Sequence, residues 1–169
     1  DEVQMISETG CSRRVEHNKR EQICLVSSGG GHLSELLALQ PAYASCPHFF
    51  VLNQRVPLTK DMEERTCYIR HSERDWHFFV NLWEAWRILQ RERPAVILST
   101  GAGPAVPFAL VGKLLGIHTV FVECSTQVAR PSLTGRIMYR LADRFYYQWE
   151  GLKAYYPKGI YGGVLLWSS

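Results

Sequence analysis

The sequence has no run of about 18 consecutive apolar residues, the length that a membrane-spanning helix requires, and no secretory hydrophobic region near its start. It also lacks strong charge of one sign: 19 Lys and Arg against 16 Asp and Glu give a net charge of +3. A general nucleic-acid-binding protein usually carries a concentrated basic face, so no nucleic-acid partner is expected. The 169 residues, 46% of them hydrophobic, fit one domain with a core and are too few for two nucleotide-binding domains.

The five cysteines are an odd number and form no close pair. No Cys/Cys or Cys/His spacing is typical of a zinc site, so we expect neither a metal ion nor a cofactor. Cys24 and Cys124 lie in apolar, strand-like runs, where a reduced cysteine behaves as a small hydrophobic residue. These features predict a reducing, cytoplasmic compartment.

From Gln22 onward short apolar runs alternate with helical patterns, which predicts βαβ units and a mainly parallel sheet flanked by helices. The predicted strands cover residues 22–27, 48–52, 66–70, 95–99, 118–123, 144–148 and 163–167. The predicted helices cover residues 33–40, 75–92, 105–115, 133–142 and 149–156, with a charged connection at 53–65. The expected organisation is a polar, flexible N-terminal tail over residues 1–20 and a single Rossmann-like α/β domain over residues 21–169; a basic membrane-surface tether is the alternative for the tail.

A glycine-rich turn follows the first predicted strand. Gly29, Gly30 and Gly31 let the backbone turn sharply and approach a ligand without a Cβ in the way, and the N-terminus of the following helix favours a phosphate oxygen. His32 could donate a hydrogen bond to that ligand or act as a base near neutral pH. The alternatives are a tight turn that serves packing alone and a surface or capping histidine. The turn is neither the GxGxxG motif nor a P-loop.

A second small-residue turn, residues 99–104, follows the fourth predicted strand. Gly101 and Gly103 repeat the logic of the first turn, and Pro104 is placed to begin a helix. Helix initiation alone is the alternative interpretation. Since ligands bind at the carboxyl ends of parallel strands, both turns are expected to line one cleft.

The third segment runs from Glu123 to Arg136. A carboxylate at a strand end is suited to orient a group or to act as a general base. Arg130 and Arg136 could face phosphate, because the guanidinium fork matches it; a solvated ion pair is the alternative. We expect Ser132 to cap the following helix and Gly135 to be a local irregularity in it.

Three stretches resemble the bacterial PssD-type polysaccharide-biosynthesis proteins and the eukaryotic Alg-fourteen-type subunit of the dolichol-linked N-acetylglucosaminyltransferase. They are ICLVSSGGGHLSELLAL, RPAVILSTGAGPAVPFALVGKLLG and VECSTQVARPSLTGRIMYRLADRFYYQWEGLKAYYPKGIYGG, and together they cover roughly residues 22–163. STGAGPAVPF followed by PSLTGR is the most specific part, and QWEGLKAYYPK favours the PssD branch. The resemblance implies the N-terminal, acceptor-binding half of a MurG-like GT-B glycosyltransferase. The donor-binding half would be a separate PssE-like polypeptide.

The implied function is that of an acceptor-binding, membrane-recruiting subunit, which works at the inner face of the cell membrane. With its partner it would transfer a sugar from a UDP-sugar to a polyprenyl-diphosphate-linked saccharide in surface or exopolysaccharide synthesis. The alternatives are a non-catalytic scaffold for a PssE-like partner and an independent nucleotide-sugar-binding or dinucleotide-binding domain. His32 and Glu123 are the implied catalytic residues. The implied diphosphate-binding residues are Gly29, Gly30, Gly31, Gly101, Gly103, Ser132 and Arg136.

The resemblance has two local departures. Three glycines precede His32 where two are the commoner form, and Cys124 stands where a small hydroxyl residue is common.

The longest predicted helix is rich in aromatic residues. Four regularly spaced side chains are expected to pack on the sheet: Phe79, Leu82, Trp83 and Trp86. Trp76 and Phe78 are expected to be exposed and to contact the membrane, because aromatic residues beside basic ones suit the headgroup region. Residues 106–115 are a second membrane-contact candidate.

Overall fold

A computed structural model of the chain describes residues 21–53, 55–70 and 77–165. Its strands are β1 (Ile23–Ser27), β2 (His48–Leu52), β3 (Thr66–Tyr68), β4 (Val96–Gly101), β5 (His118–Val122), β6 (Arg144–Tyr147) and β7 (Ile160–Tyr161). Its helices are α1 (Gly31–Ala38), α2 (Gln40–Tyr43), α3 (Lys60–Glu64), α4 (His77–Glu92), α5 (Ala105–Leu115) and α6 (Leu133–Leu141), with a 3-10 turn at Glu150–Leu152. The strands form one parallel sheet in the order β3-β2-β1-β4-β5-β6-β7. The predicted Rossmann-like α/β fold is confirmed.

Alternate side chains of β1 to β4 enter different cores, as the two-residue period of a strand requires. On one face, Leu25 of β1 is buried against Leu36 of α1. On the other face, Val26 packs with Leu89 of α4 and Phe108 of α5. A third core joins α5, α6 and the strands β5 and β6. Full burial of one such side chain stabilises the fold by about 1.5–3 kcal/mol.

The strand order places the functional loops. The chain builds outward from β1 to β2 and β3, then returns to place β4 on the other side of β1. The turns that leave β1 and β4 are therefore neighbours at the carboxyl edge of the sheet, at the point where the strand order reverses. Ligands of open α/β sheets bind at this point.

Three predicted elements are wrong in detail. The connection 53–65 contains helix α3, which Thr59 caps by accepting a hydrogen bond from the backbone N–H of Met62. The predicted helix 149–156 is only a 3-10 turn at Glu150–Leu152. The last strand is Ile160–Tyr161 rather than 163–167, because the chain turns away through Gly163, whose φ is 75°; residues 166 and 167 lie outside the described part.

Helix α4 corrects the expectation about its aromatic residues. Phe79, Trp83 and Trp86 are 71%, 56% and 40% exposed, whereas Leu82 is half-buried against the core. The residues of α4 that fill the core are instead Ala85, Ile88 and Leu89. Spacings of three and four residues are found on both faces of this helix, so the spacing alone did not identify the buried one.

The membrane contact predicted for Trp76 and Phe78 stays a prediction. Phe78 is half-buried, and Trp76 lies outside the described residues. The second candidate segment, 106–115, forms most of α5 and is largely core, with Leu114 exposed. No helix in the described ranges is both long and apolar enough to span a membrane.

Candidate functional site

Two glycine turns form the floor of the site. Gly30 ends the first turn with a φ of 81°, and Gly101 begins the second with a φ of 125°, both in the region that favours glycine. No side chain caps α1, so its first backbone N–H groups are left for another partner. A Cβ at Gly30 or Gly31 would meet no atom within 4 Å. This open helix N-terminus has the form of an anion-binding site.

His32 joins the two turns. The hydroxyl of Thr100 donates a hydrogen bond of 2.7 Å to the His32 carbonyl, and His32 Nδ1 lies 3.2 Å from the Thr100 carbonyl oxygen. A Cβ at Gly101 would come within 3.1 Å of Nδ1, so a side chain there would displace the imidazole by a few tenths of an ångström. When Nδ1 carries the proton, it donates to Thr100 and leaves a lone pair on Nε2.

Cys124 and Glu35 extend the site beside His32. The candidate ligand atoms of the three residues all lie within 4.8 Å of one another. A hydrogen bond with Cys124 raises the pKa of His32, although burial acts in the opposite direction. Burial raises the pKa of the Cys124 thiol, but hydrogen bonds with His32 and Thr126 outweigh it and the pKa is lowered.

The expectation for the two cysteines is half right. Cys24 is fully buried in the core as predicted. Cys124 is half-buried in the loop after β5, where it contacts polar groups, and it does not behave as a small hydrophobic residue. Strand β5 ends at Val122, two residues earlier than Cys124.

Sequence reasoning missed Glu35. This carboxylate is 1% exposed; its Oε1 accepts a 2.7 Å hydrogen bond from the backbone N–H of Ser125, and its Oε2 has no partner in the described structure. The available signal was its position three residues after His32, which places both side chains on one face of α1.

Glu123 occupies a separate and completely bonded cluster. It is 1% exposed. Its Oε1 accepts from the Ser132 hydroxyl and the Cys124 N–H at 2.8 and 3.1 Å. Its Oε2 accepts from the Tyr156 hydroxyl and the Ser132 N–H at 2.6 and 3.3 Å. Burial and the hydrogen bond to Glu123 raise the pKa of Tyr156 well above its ordinary value. The role of Glu123 as a base stays a prediction, and this geometry weighs against it because every acceptor position already faces a donor.

Ser132 caps α6 as predicted, since its hydroxyl oxygen accepts a 2.7 Å hydrogen bond from the backbone N–H of Gly135. The same hydroxyl donates to Glu123, so it has no second proton for a diphosphate; its contact with that ligand stays a prediction. Gly135 is a regular, buried residue of α6 rather than an irregularity. Its missing side chain leaves room for Glu123 Oε2, which a Cβ would overlap.

The remaining predicted residues lie around this edge. Arg130 and Arg136 are exposed, and neither has an ion-pair partner within the ranges that the structure describes. Arg136 lies in the first two turns of α6 and acts electrostatically on Tyr156. Gly29 is half-buried and Gly103 is exposed. The fold thus brings the glycine turns and His32 together, with the Glu123 cluster behind the loop that carries Cys124.

The family model that matches this chain and two of its curated relatives carry the same name. The family described as "Oligosaccharide biosynthesis protein Alg14 like" matches residues 68–165. The human UDP-N-acetylglucosamine transferase subunit ALG14 is 28% identical over 91% of this chain and 88% of the human protein. The subunit of the same name from Kluyveromyces lactis is 51% identical over 45% of this chain and 35% of its own.

Two solved structures show the same fold. The MurG of Acinetobacter baumannii has a TM-score of 0.63 at 20% identity and covers 76% of this chain. The UDP-N-acetylglucosamine 2-epimerase of Rickettsia bellii has a TM-score of 0.66 at 13% identity and covers 87% of it. The chain spans only 41% and 46% of these two proteins.

Proposed function

The chain belongs to the Alg14-like family of oligosaccharide biosynthesis proteins, and on that premise we propose that it is the acceptor-binding, membrane-recruiting subunit of a two-component glycosyltransferase. The complete enzyme would transfer a sugar from a UDP-sugar to a polyprenyl-diphosphate-linked saccharide in surface or exopolysaccharide synthesis. The names of the human and yeast relatives, which contain the words transferase subunit, support a partner. A PssE-like chain would hold the donor.

The observation that carries the proposal is the pair of glycine turns joined through His32 and Thr100. Backbone N–H groups at the uncapped start of α1 face open space, where a diphosphate would bind with its charge next to the positive end of the helix dipole. Arg136 would add a positive charge from the start of α6. Both turns lie at the edge of the sheet where ligands bind in this fold.

In the proposed reaction the acceptor hydroxyl oxygen attacks the anomeric carbon of the UDP-sugar. The bond from that carbon to the diphosphate of UDP breaks, UDP leaves, and the hydroxyl proton passes to a base. His32 Nε2 is the proposed base, because Nδ1 faces the Thr100 carbonyl. Glu123 would then position the third loop rather than take the proton.

The exposed face of α4 is the proposed membrane contact. Phe79, Trp83 and Trp86 lie on it, and the Arg87 guanidinium sits 4.7 Å from the centre of the Trp83 ring. Aromatic and basic side chains together suit the headgroup region of an anionic bilayer. Since α4 follows β3, its first turn, with Phe79, lies at the same edge of the sheet as the glycine turns. The protein would therefore sit peripherally at the cytoplasmic face of the cell membrane.

A reconstituted transfer assay tests the proposal. The chain, its PssE-like partner and their mixture are incubated with lipid-diphosphate acceptor and UDP-sugars, beginning with UDP-N-acetylglucosamine. Transfer is expected only from the mixture, and His32→Ala should reduce it at least 100-fold while the two chains still co-purify. Transfer by this chain alone would refute the two-component proposal. Unchanged transfer by His32→Ala and Glu123→Gln complexes would favour the scaffold, and tight UDP-sugar binding by the isolated chain would favour a nucleotide-sugar-binding domain.

Vesicle sedimentation tests the membrane contact. With vesicles that contain anionic lipid, the double variant Phe79→Ser/Trp83→Ser should bind at least tenfold more weakly than the unaltered chain, since burying aromatic surface in the headgroup region favours binding. Tyr155→Ser is the control, because Tyr155 is an aromatic residue that is 48% exposed and lies outside α4 and residues 106–115. If the control variant lost as much vesicle binding as the double variant, the membrane contact would not be specific to α4.

A further inference from the structure

We propose that His32, Glu35 and Cys124 form a binding site for one Zn²⁺ ion. The residues come from two parts of the chain, the first two turns of α1 and the loop after β5. Their nitrogen, oxygen and sulfur ligand atoms all lie within 4.8 Å of one another. Binding of Zn²⁺ can be measured without sugar transfer, so the test does not require the proposed function. Because Nδ1 faces the Thr100 carbonyl, the ion would occupy the Nε2 lone pair, and His32 would act as the proposed base only in the zinc-free chain.

The ligand set fits zinc. Zn²⁺ takes imidazole nitrogen, thiolate sulfur and carboxylate oxygen, and three protein ligands leave a fourth position for water or another oxygen ligand. The separation between Cys124 Sγ and Glu35 Oε1 is 3.8 Å. With bonds of about 2.0–2.3 Å, ligand atoms around a tetrahedral ion lie about 3.5 Å apart. The ligand atoms, which lie up to 4.8 Å apart, therefore have to move closer by about 1.3 Å at most to enclose the ion.

Glu35 supplies an independent observation that points to a ligand. Its side chain is 1% exposed, yet Oε2 has no hydrogen-bond partner in the described structure. No described ion pair involves this residue. A buried carboxylate oxygen without a partner is costly, and coordination of a cation removes that cost. In contrast, Glu35 Oε1 is held by the Ser125 N–H, which fixes the carboxylate in place.

His32 has the outer contact that a zinc-binding histidine usually has. Its Nδ1 lies 3.2 Å from the Thr100 carbonyl oxygen. A metal-bound histidine typically donates its other ring N–H to a carbonyl or carboxylate, which sets the tautomer and the direction of the ring. The Thr100 hydroxyl also bonds the His32 carbonyl, so both the backbone and the ring of this residue are fixed.

Cys124 provides the soft ligand. The thiol is half-buried, and Thr126 Oγ1 lies 3.0 Å from its sulfur. A thiolate is the strongest selector for zinc over magnesium or calcium, which prefer oxygen. The site should therefore discriminate against both hard cations.

Equilibrium dialysis of the full chain against Zn²⁺ alone tests the site, with the protein kept reduced under anaerobic conditions. The chain should bind one Zn²⁺ in a saturable manner, and a large excess of Mg²⁺ should not displace it. Cys124→Ser and Glu35→Gln, both close in shape to the original residues, should weaken binding by about 100-fold. Cys46→Ser is the matched control because Cys46 is another half-buried free thiol, and this variant should bind like the unaltered chain.

Co²⁺ gives a second readout, since a thiolate-bound Co²⁺ ion has a charge-transfer absorption that Cys124→Ser should remove and Cys46→Ser should keep. Absence of a saturable Zn²⁺ site would overturn the proposal. So would binding that Cys124→Ser and Glu35→Gln leave unchanged, since the ion would then lie elsewhere. Circular dichroism of each variant separates loss of the site from loss of the fold. Zinc binding by a chain without transfer activity would contradict only the proposed function, and transfer without zinc binding only this inference.

Discussion

Two glutamates at the same edge of the sheet have equal burial and different surroundings. Glu35 and Glu123 are both 1% exposed. Glu123 accepts hydrogen bonds at both oxygens from side-chain and backbone donors, whereas one oxygen of Glu35 has no partner in the described structure. A fully bonded buried carboxylate stabilises a unique fold, while an incompletely bonded one has capacity for a ligand. By this contrast, the Glu123 cluster serves the fold, and the side of the loop that faces Glu35 has room for a ligand.

The loop between the two carboxylates is held from both sides. The Ser125 N–H donates to Glu35, and the Ser125 carbonyl accepts from the Trp149 indole at 2.6 Å. Gln148 donates to the Glu123 carbonyl at 2.9 Å. These bonds fix the backbone of the loop, so its side chains are presented to the cleft in a defined direction.

The largest expected effect comes from Gly135→Ala, which disrupts the hydrogen-bonded cluster around Glu123. The added Cβ would overlap Glu123 Oε2 and come within 2.6 Å of Tyr156 Oη. Overpacking costs about 1–3 kcal/mol, and disrupted buried hydrogen bonds add about 1–3 kcal/mol. Urea denaturation should therefore show a loss of about 3 kcal/mol or more.

Gly31→Ala is its control, because a Cβ there meets nothing within 4 Å. The free energy of unfolding should stay the same or rise by up to about 1 kcal/mol, the helix preference of alanine over glycine. A comparable loss in both variants would show that the space around Gly135 is not special.

The next effect compares the two glutamates directly. Glu123→Gln places an amide NH₂ against groups that themselves donate, and it should lower the free energy of unfolding by about 2–3 kcal/mol. Glu35→Gln keeps an oxygen for the Ser125 N–H, and its NH₂ would replace an oxygen that has no donor in the described structure. Its cost should be below about 1 kcal/mol. Equal losses of unfolding free energy for the two variants in parallel urea titrations would contradict the proposed difference between the two glutamates.

Tyr156→Phe removes a single bond from the Glu123 cluster. Tyr156 is 1% exposed and its hydroxyl donates to Glu123 at 2.6 Å, so the expected loss is about 1.5–2 kcal/mol, as for a hydrogen bond to a charged group. Tyr155→Phe is the control, since Tyr155 is 48% exposed; its free energy of unfolding should change by less than about 0.5 kcal/mol. Thermal denaturation of both variants measures the difference, and a loss of similar size at Tyr155 would contradict it.

Local patterns explain which parts of this site were predictable. The glycine turn and the Ser132 cap depend on a few adjacent residues, so the sequence indicates them directly. Glu35 instead meets Ser125, 90 residues away, and Tyr156 meets Glu123, 33 residues away. No local pattern encodes such pairs, because they exist only once the sheet has brought its loops to one edge. Gly135 was misjudged for the same reason, since its purpose is to make room for a distant carboxylate.

The sequence predicted the fold better than it predicted which face of a helix is exposed. Alternating strands and helices gave the parallel sheet, because burial imposes periodic patterns on whole segments. Helix α4 is the exception: both of its faces carry apolar residues, and which one packs depends on α5 and the sheet. The aromatic residues around Trp83 were therefore expected in the core and lie outside it.

The smallest expected effect concerns Cys124→Ser. The serine hydroxyl can replace the thiol in its contacts with His32 and Thr126, so the free energy of unfolding should change by less than about 0.5 kcal/mol. Cys24→Ser is the contrasting variant, because Cys24 is 0% exposed in an apolar core and a hydroxyl there would cost about 1–3 kcal/mol. If urea denaturation instead shows that Cys124→Ser costs as much as Cys24→Ser, the thiol serves the fold. If the free energy of unfolding is kept while Zn²⁺ binding falls, Cys124 serves ion binding, as proposed for Glu35, and does not serve the fold as Glu123 does.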